Sequence, residues 1–67
     1  MEFRLEGDFI ELDNLLKAAR FASSGAEAKL QIQKGKIKVN GVVESRIRRK
    51  LRLGDAVEFG DENIKVI

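Results

Sequence analysis

Neither cysteine nor histidine occurs anywhere in these 67 residues. A chain this short buries only about 60% of the surface its unfolded form exposes, so its stability is marginal. Small domains commonly lean on a disulfide or a bound metal, and composition removes both here. The thiolate and imidazole ligands of zinc, iron–sulfur and thiol chemistry are missing, and no metal or cofactor is expected. The fold must come from one apolar core and well-placed turns. Proline is absent as well, so glycine, Asn and Asp supply the punctuation. The 43% hydrophobic content is periodic and interleaved with those turns, which fits a single domain over residues 1–67, without linker or repeat. No apolar run approaches the roughly 18 residues of a membrane span, and no leader pattern opens the chain. A cytoplasmic protein without membrane association is the expectation.

The pattern along the chain predicts an α+β fold: two short helices in a helix-turn-helix, packed on a small, mainly antiparallel sheet of short strands. Phe3 and Leu5 alternate with charged residues and predict an opening strand that Gly7-Asp8 ends. Phe9, Ile10 and Leu12 lead into a helix over roughly 13–20, with Leu12, Leu15, Leu16 and Ala19 on one face. The segment from Ala26 to Gln33 alternates like a strand, yet its local signals favour a helix. Ser24 and Glu27 form an S-x-x-E capping box, the residues between are good helix formers, and Gly35 stands where a left-handed terminator belongs. Such a helix carries Ala28/Ile32 and Ala26/Leu30 on nearly opposite sides, which predicts that it is sandwiched between two elements. Ile37 and Val39, then Asn40-Gly41 and Val42-Val43, predict a hairpin. Ile47, Leu51 and Leu53 are the expected apolar anchors of the charged stretch after it. Gly54-Asp55 turns the chain into a strand at Val57 and Phe59, and a turn over residues 60–63 leads to a last strand at Ile64 and Val66.

Charge is distributed very unevenly. Between Lys29 and Arg52 lie nine basic residues and one acid, Glu44, whereas residues 1–28 hold three basic and six acidic residues and residues 53–67 one and four. The formal net charge of +2 therefore conceals a polarised molecule. A solvated face normally intersperses both signs, so this block points to a polyanionic partner. Catalysis has little support. Glu2, Glu6, Asp8, Glu11 and Asp13 form an acidic flank, Ser23 and Ser24 have no histidine partner, and the single, separated glycines make no phosphate-cradling loop.

The motifs in their order resemble a known family. Leu15-Leu16-Lys17, the Ser24-Gly25-Ala26-Glu27-Ala28-Lys29 helix start, Val39-Asn40-Gly41, and Lys50-Leu51-Arg52-Leu53-Gly54-Asp55 after a basic run are similar to the S-four RNA-binding domain. The likeness is to its short stand-alone bacterial members, the αL-motif proteins, and covers roughly residues 9–67. The resemblance implies a non-catalytic protein that binds structured RNA, ribosomal RNA among the candidates, in ribosome assembly, translation or RNA quality control. Many members place an arginine after the serine of the second helix start, where this chain has Gly25. That departure shifts the expected contacts onto Lys29 and the Arg46–Arg52 run.

The RNA-facing candidates follow from the charge pattern. Lys29 and Gln33 share a helical edge at i, i+4, with Lys34 just beyond. Lys36 and Lys38 alternate with Ile37 and Val39 and so point away from the core. Arg46, Arg48, Arg49, Lys50 and Arg52 are the densest cluster, and guanidinium forks suit phosphate oxygens. Asn40 is added because its turn presents an amide, although the turn alone explains the residue type. The four phenylalanines are read as core residues rather than stacking platforms, which favours recognition of phosphates and shape. A protein-interaction module docking an acidic partner through the same basic face is the alternative.

Overall fold

In the computed structural model, which describes residues 1–67, the chain forms nine short elements. They are β1 (Glu2–Phe3), β2 (Ile10–Glu11), α1 (Leu12–Ala18), α2 (Gly25–Gln33), β3 (Ile37–Val39), β4 (Val42–Val43), β5 (Lys50–Leu51), β6 (Ala56–Phe59) and β7 (Glu62–Val66). Five strands make one sheet in the order β1-β7-β6-β3-β4, antiparallel except for the parallel β1–β7 pair, and β2 with β5 makes a second, two-stranded sheet. The expected α+β architecture is borne out. No helix is long and apolar enough to cross a membrane.

Alternation along the paired strands builds one face of the core. Val39, Val57 and Ile64 lie in register across β3, β6 and β7, with Ile37 opposite Phe59 in the next inward row. Leu12, Leu15 and Leu16 of α1, Ala28 and Ile32 of α2, and Leu51 of β5 close over that face, each at most 1% exposed. The outward residues of the same sheet alternate in sign: Lys38 lies opposite Glu58, and Glu2 opposite Lys65.

The turns explain why so small a core suffices. Asn40 and Gly41 both have positive φ (52° and 85°), the type I′ sense that matches strand twist, and they join β3 to β4. The β6–β7 turn is Gly60-Asp61 alone, because Phe59 pairs with Glu62; β7 therefore begins before the expected Ile64. Helix α2 ends in a Schellman arrangement: the Lys36 amide donates to Gln31 O, the Gly35 amide to Ile32 O, and Gly35 takes φ 73°. Helix α1 ends the same way, with Phe21 N–H to Leu16 O and Arg20 N–H to Lys17 O. There the left-handed position is filled by Arg20, φ 63°.

Four sequence expectations are corrected. Helix α2 buries one stripe, not two: Ala26 is exposed and Leu30 is 50% exposed, because only α1 and the sheet cover it. Its capping box is half formed. Ser24 Oγ accepts from Glu27 N–H at 3.1 Å, but the Glu27 carboxylate accepts from the Ser23 hydroxyl instead of returning to the cap. Leu53, expected as an anchor, is 75% exposed in the turn after β5. Helix α1 runs over 12–18 rather than 13–20, and the residues before it form β2, a strand that local periodicity did not reveal.

Candidate nucleic-acid interface

The segment between β4 and β5 is held from both ends. Helix α1 has no side-chain cap at Glu11. Its first amides are satisfied from a distance instead, Leu12 N–H by Arg49 O at 2.8 Å and Asp13 N–H by Ile47 O at 3.1 Å. The β2–β5 pairing, Ile10 with Leu51 and Glu11 with Lys50, continues this strap. The basic loop is thus sewn to the start of α1.

Glu44 anchors the other end. The hairpin register carries on past β4, with Glu44 N–H donating to Ile37 O at 3.0 Å, so Glu44 sits opposite a core residue on the inward side of the sheet. Its side chain is buried, 7% exposed. A carboxylate there requires partners, and two arginines supply them. Arg46 donates from Nε to Oε2 and from Nη2 to Oε1, each at 3.0 Å, and its backbone N–H adds a third bond to Oε2 at 2.9 Å. Arg49 Nη1 reaches Oε1 at 2.8 Å. Chiefly through the Arg46 side-chain bonds, the Glu44 carboxyl is lowered from 4.5 to about 2, against the opposing effect of its burial. The lone acid of the basic block was left without a role by the sequence. An isolated carboxylate followed two and five residues later by arginines was the available signal.

Above this anchor, Arg46, Arg48, Arg49, Lys50 and Arg52 line one open concavity of about 480 Å³, with no apolar residue in its lining. The structure brings these five sequence candidates together. The remaining candidates stand elsewhere: Lys29 and Gln33 exposed on α2, Lys34 at its C-cap, Lys36 just before β3, and Lys38 on the outward sheet face beside Glu58. Asn40 is engaged within the protein. Its Nδ2 donates to Asp55 Oδ1 at 3.0 Å and its Oδ1 accepts from Ala56 N–H at 2.9 Å, so its amide ties the hairpin to the start of β6. Asp55 also accepts from Arg52 N–H at 2.8 Å, and that backbone bond, followed by the Asn40 amide, lowers its carboxyl below the ordinary range.

Phe9 overturns its reading as a core residue. It is 40% exposed, with Lys50 Nζ 4.8 Å and Arg52 Cζ 5.9 Å from the ring centroid. The other three phenylalanines are partly buried against the core, Phe21 and Phe59 with ring centroids 6.1 Å apart. No group of three or more acidic side chains is arranged to hold a metal ion.

Two helices packed on a mixed sheet, with a basic loop strapped across the start of the first helix, define a small domain of the αL type. The profile of the S4 domain matches residues 3–67. "Putative RNA-binding protein YbcJ" of Escherichia coli (strain K12) is 41% identical over 58 residues, 87% of this chain and 83% of that protein. "Uncharacterized protein YbcJ" of Shigella flexneri matches to the same extent. The solution structure of YbcJ from E. coli, described as revealing an αL motif involved in RNA binding, superposes with a TM-score of 0.75. The identity there is 39%, over 98% of this chain and 85% of that one. The chain belongs to the S4 domain family, as the S-four resemblance implied.

Proposed function

We propose that this chain is a non-catalytic bacterial RNA-binding protein of the cytoplasm that recognises structured RNA through the concavity of Arg46, Arg48, Arg49, Lys50 and Arg52. The observation that carries the reading is the convergence of these five cations on one open surface with no acid in its lining. Glu44, paired with Arg46 and Arg49 beneath the surface, offsets one of the five charges, and the excess that remains repels itself until a polyanion neutralises it. The names given to the YbcJ relatives point to the same class of ligand. Ribosomal RNA is the proposed partner, and ribosome assembly, translation or RNA quality control the proposed setting.

Binding of this kind releases counterions. Five or six phosphate contacts give a log–log dependence of affinity on salt with a slope of about −4 to −5. Titrating a folded RNA across a salt series measures it. Submicromolar binding that weakens with that slope supports the reading, and no binding even at low salt sinks it. The mutational arm reverses Arg48 and Arg52 to Glu, since reversing Arg46 or Arg49 would set a second carboxylate against buried Glu44. Unchanged affinity in a folded Arg48→Glu/Arg52→Glu protein would place the interface elsewhere.

A further inference from the structure

Phe9 is the one phenylalanine that the fold leaves in the open, and it stands at the border of the basic concavity. Its exposure follows from register. Ile10 faces Leu51 across the β2–β5 pair, and both turn inward; alternation then turns Phe9 outward, level with Arg52 and diagonal to Lys50. Burying the ring would require a one-residue slip, which would expose Ile10 and Leu51. The ring therefore stands partly open with two mobile cations over it, Lys50 Nζ at 4.8 Å and Arg52 Cζ at 5.9 Å from its centroid, and both cations also line the concavity. An exposed aromatic ring whose covering cations are long, flexible and phosphate-binding matches the two parts of an unpaired nucleotide, a base and its flanking phosphates.

We propose that an unpaired RNA base stacks on Phe9 in place of the Lys50 and Arg52 side chains, which move from over the ring to the adjoining phosphates. This rests on the RNA-binding reading and sharpens its ligand to RNA that offers an unpaired nucleotide, in a bulge or loop, beside a folded segment. Phe9 supplies discrimination and the cations supply attraction, so the two are separable. Stacking on an aromatic side chain contributes to affinity on the order of fivefold or more per base. A duplex with every base paired gains only the electrostatic part.

The test compares two RNAs of equal phosphate number, one fully paired and one carrying a single unpaired 2-aminopurine, at one salt concentration. The wild-type protein is expected to favour the bulged RNA by about five- to tenfold and to quench the 2-aminopurine fluorescence. Phe9→Leu keeps apolar bulk but not the π-face; it is expected to lose the preference and the quenching while binding the paired RNA unchanged. Phe9→Tyr is expected to retain both. Equal binding of the two RNAs by the wild type overturns the proposal. So does an equal loss for both RNAs in Phe9→Leu, because the ring would then only prop the cations. If the wild type binds neither RNA, the RNA-binding reading itself falls and the stacking role falls with it.

Discussion

Arg49 places Nη1 2.8 Å from Oε1 of Glu44, and through this contact a buried acid holds the floor of a basic surface. Arg46 grips the same carboxylate from the other side. The Glu44 carboxyl is lowered to about 2 from an ordinary 4.5. The native state therefore favours the charged form, and the resulting stability is fully present above about pH 4.5 and is lost as pH falls towards 2. Because Arg46 is largely exposed, solvent screening reduces the contribution to on the order of 2 kcal/mol. Glu44→Gln is expected to lower stability by about 1–3 kcal/mol at pH 7. Urea unfolding of both proteins between pH 7 and pH 2 checks this, and the gap between them should narrow towards the acid end.

Asn40 makes a contrasting prediction, that of a strap without an RNA contact. Its φ of 52° suits glycine, so Asn40→Gly keeps the turn while removing both side-chain bonds, to Asp55 and to the Ala56 amide. Stability is expected to fall by about 1–2 kcal/mol. RNA affinity, measured in the same buffer, should stay within about twofold, since the amide is already engaged and a loss of only 0.4 kcal/mol would reach that limit.

Arg20 occupies the left-handed position at the end of α1, where α2 uses Gly35. A side chain there crowds the following carbonyl, at a cost of roughly 1 kcal/mol. Glycine relieves that strain but loosens the unfolded chain. Arg20→Gly should therefore stabilise by about 0.5 kcal/mol, raising the thermal midpoint by roughly 2–4 °C in a domain of this size. Calorimetry resolves such a shift.

These residues also show where sequence reading reaches and where it stops. The Asn40-Gly41 hairpin, the Ser24 cap and the Gly35 terminator are local devices whose residue types are dictated within a few positions, and all three are present. The β2–β5 pair is different. It is two residues long on each side and joins positions about forty apart, so no periodicity announces it. Without that register Phe9 has only an apolar neighbourhood and the look of a core residue, whereas the pairing sends Phe9 and Ile10 to opposite faces. Glu44 escaped for a related reason, because its inward position depends on lying opposite Ile37. The charge block itself was legible, but not its division between an outward sheet face of mixed sign and a concavity of one sign.

That division is the last point open to measurement. Lys36 and Lys38 belong to the same run of sequence as Arg48 and Arg52, yet Lys38 lies opposite Glu58 on the sheet and neither lysine lines the concavity. A polyanion seated in the concavity exchanges counterions chiefly with the groups that line it, and each phosphate contact contributes about 0.7–0.9 to the salt slope. Arg48→Ala/Arg52→Ala should therefore flatten the slope by about 1.4–1.8, whereas Lys36→Ala/Lys38→Ala, which removes the same charge, should leave it nearly unchanged. Equal flattening by the two pairs would mean that net charge alone attracts RNA. A larger effect of the lysine pair would move the interface to the sheet.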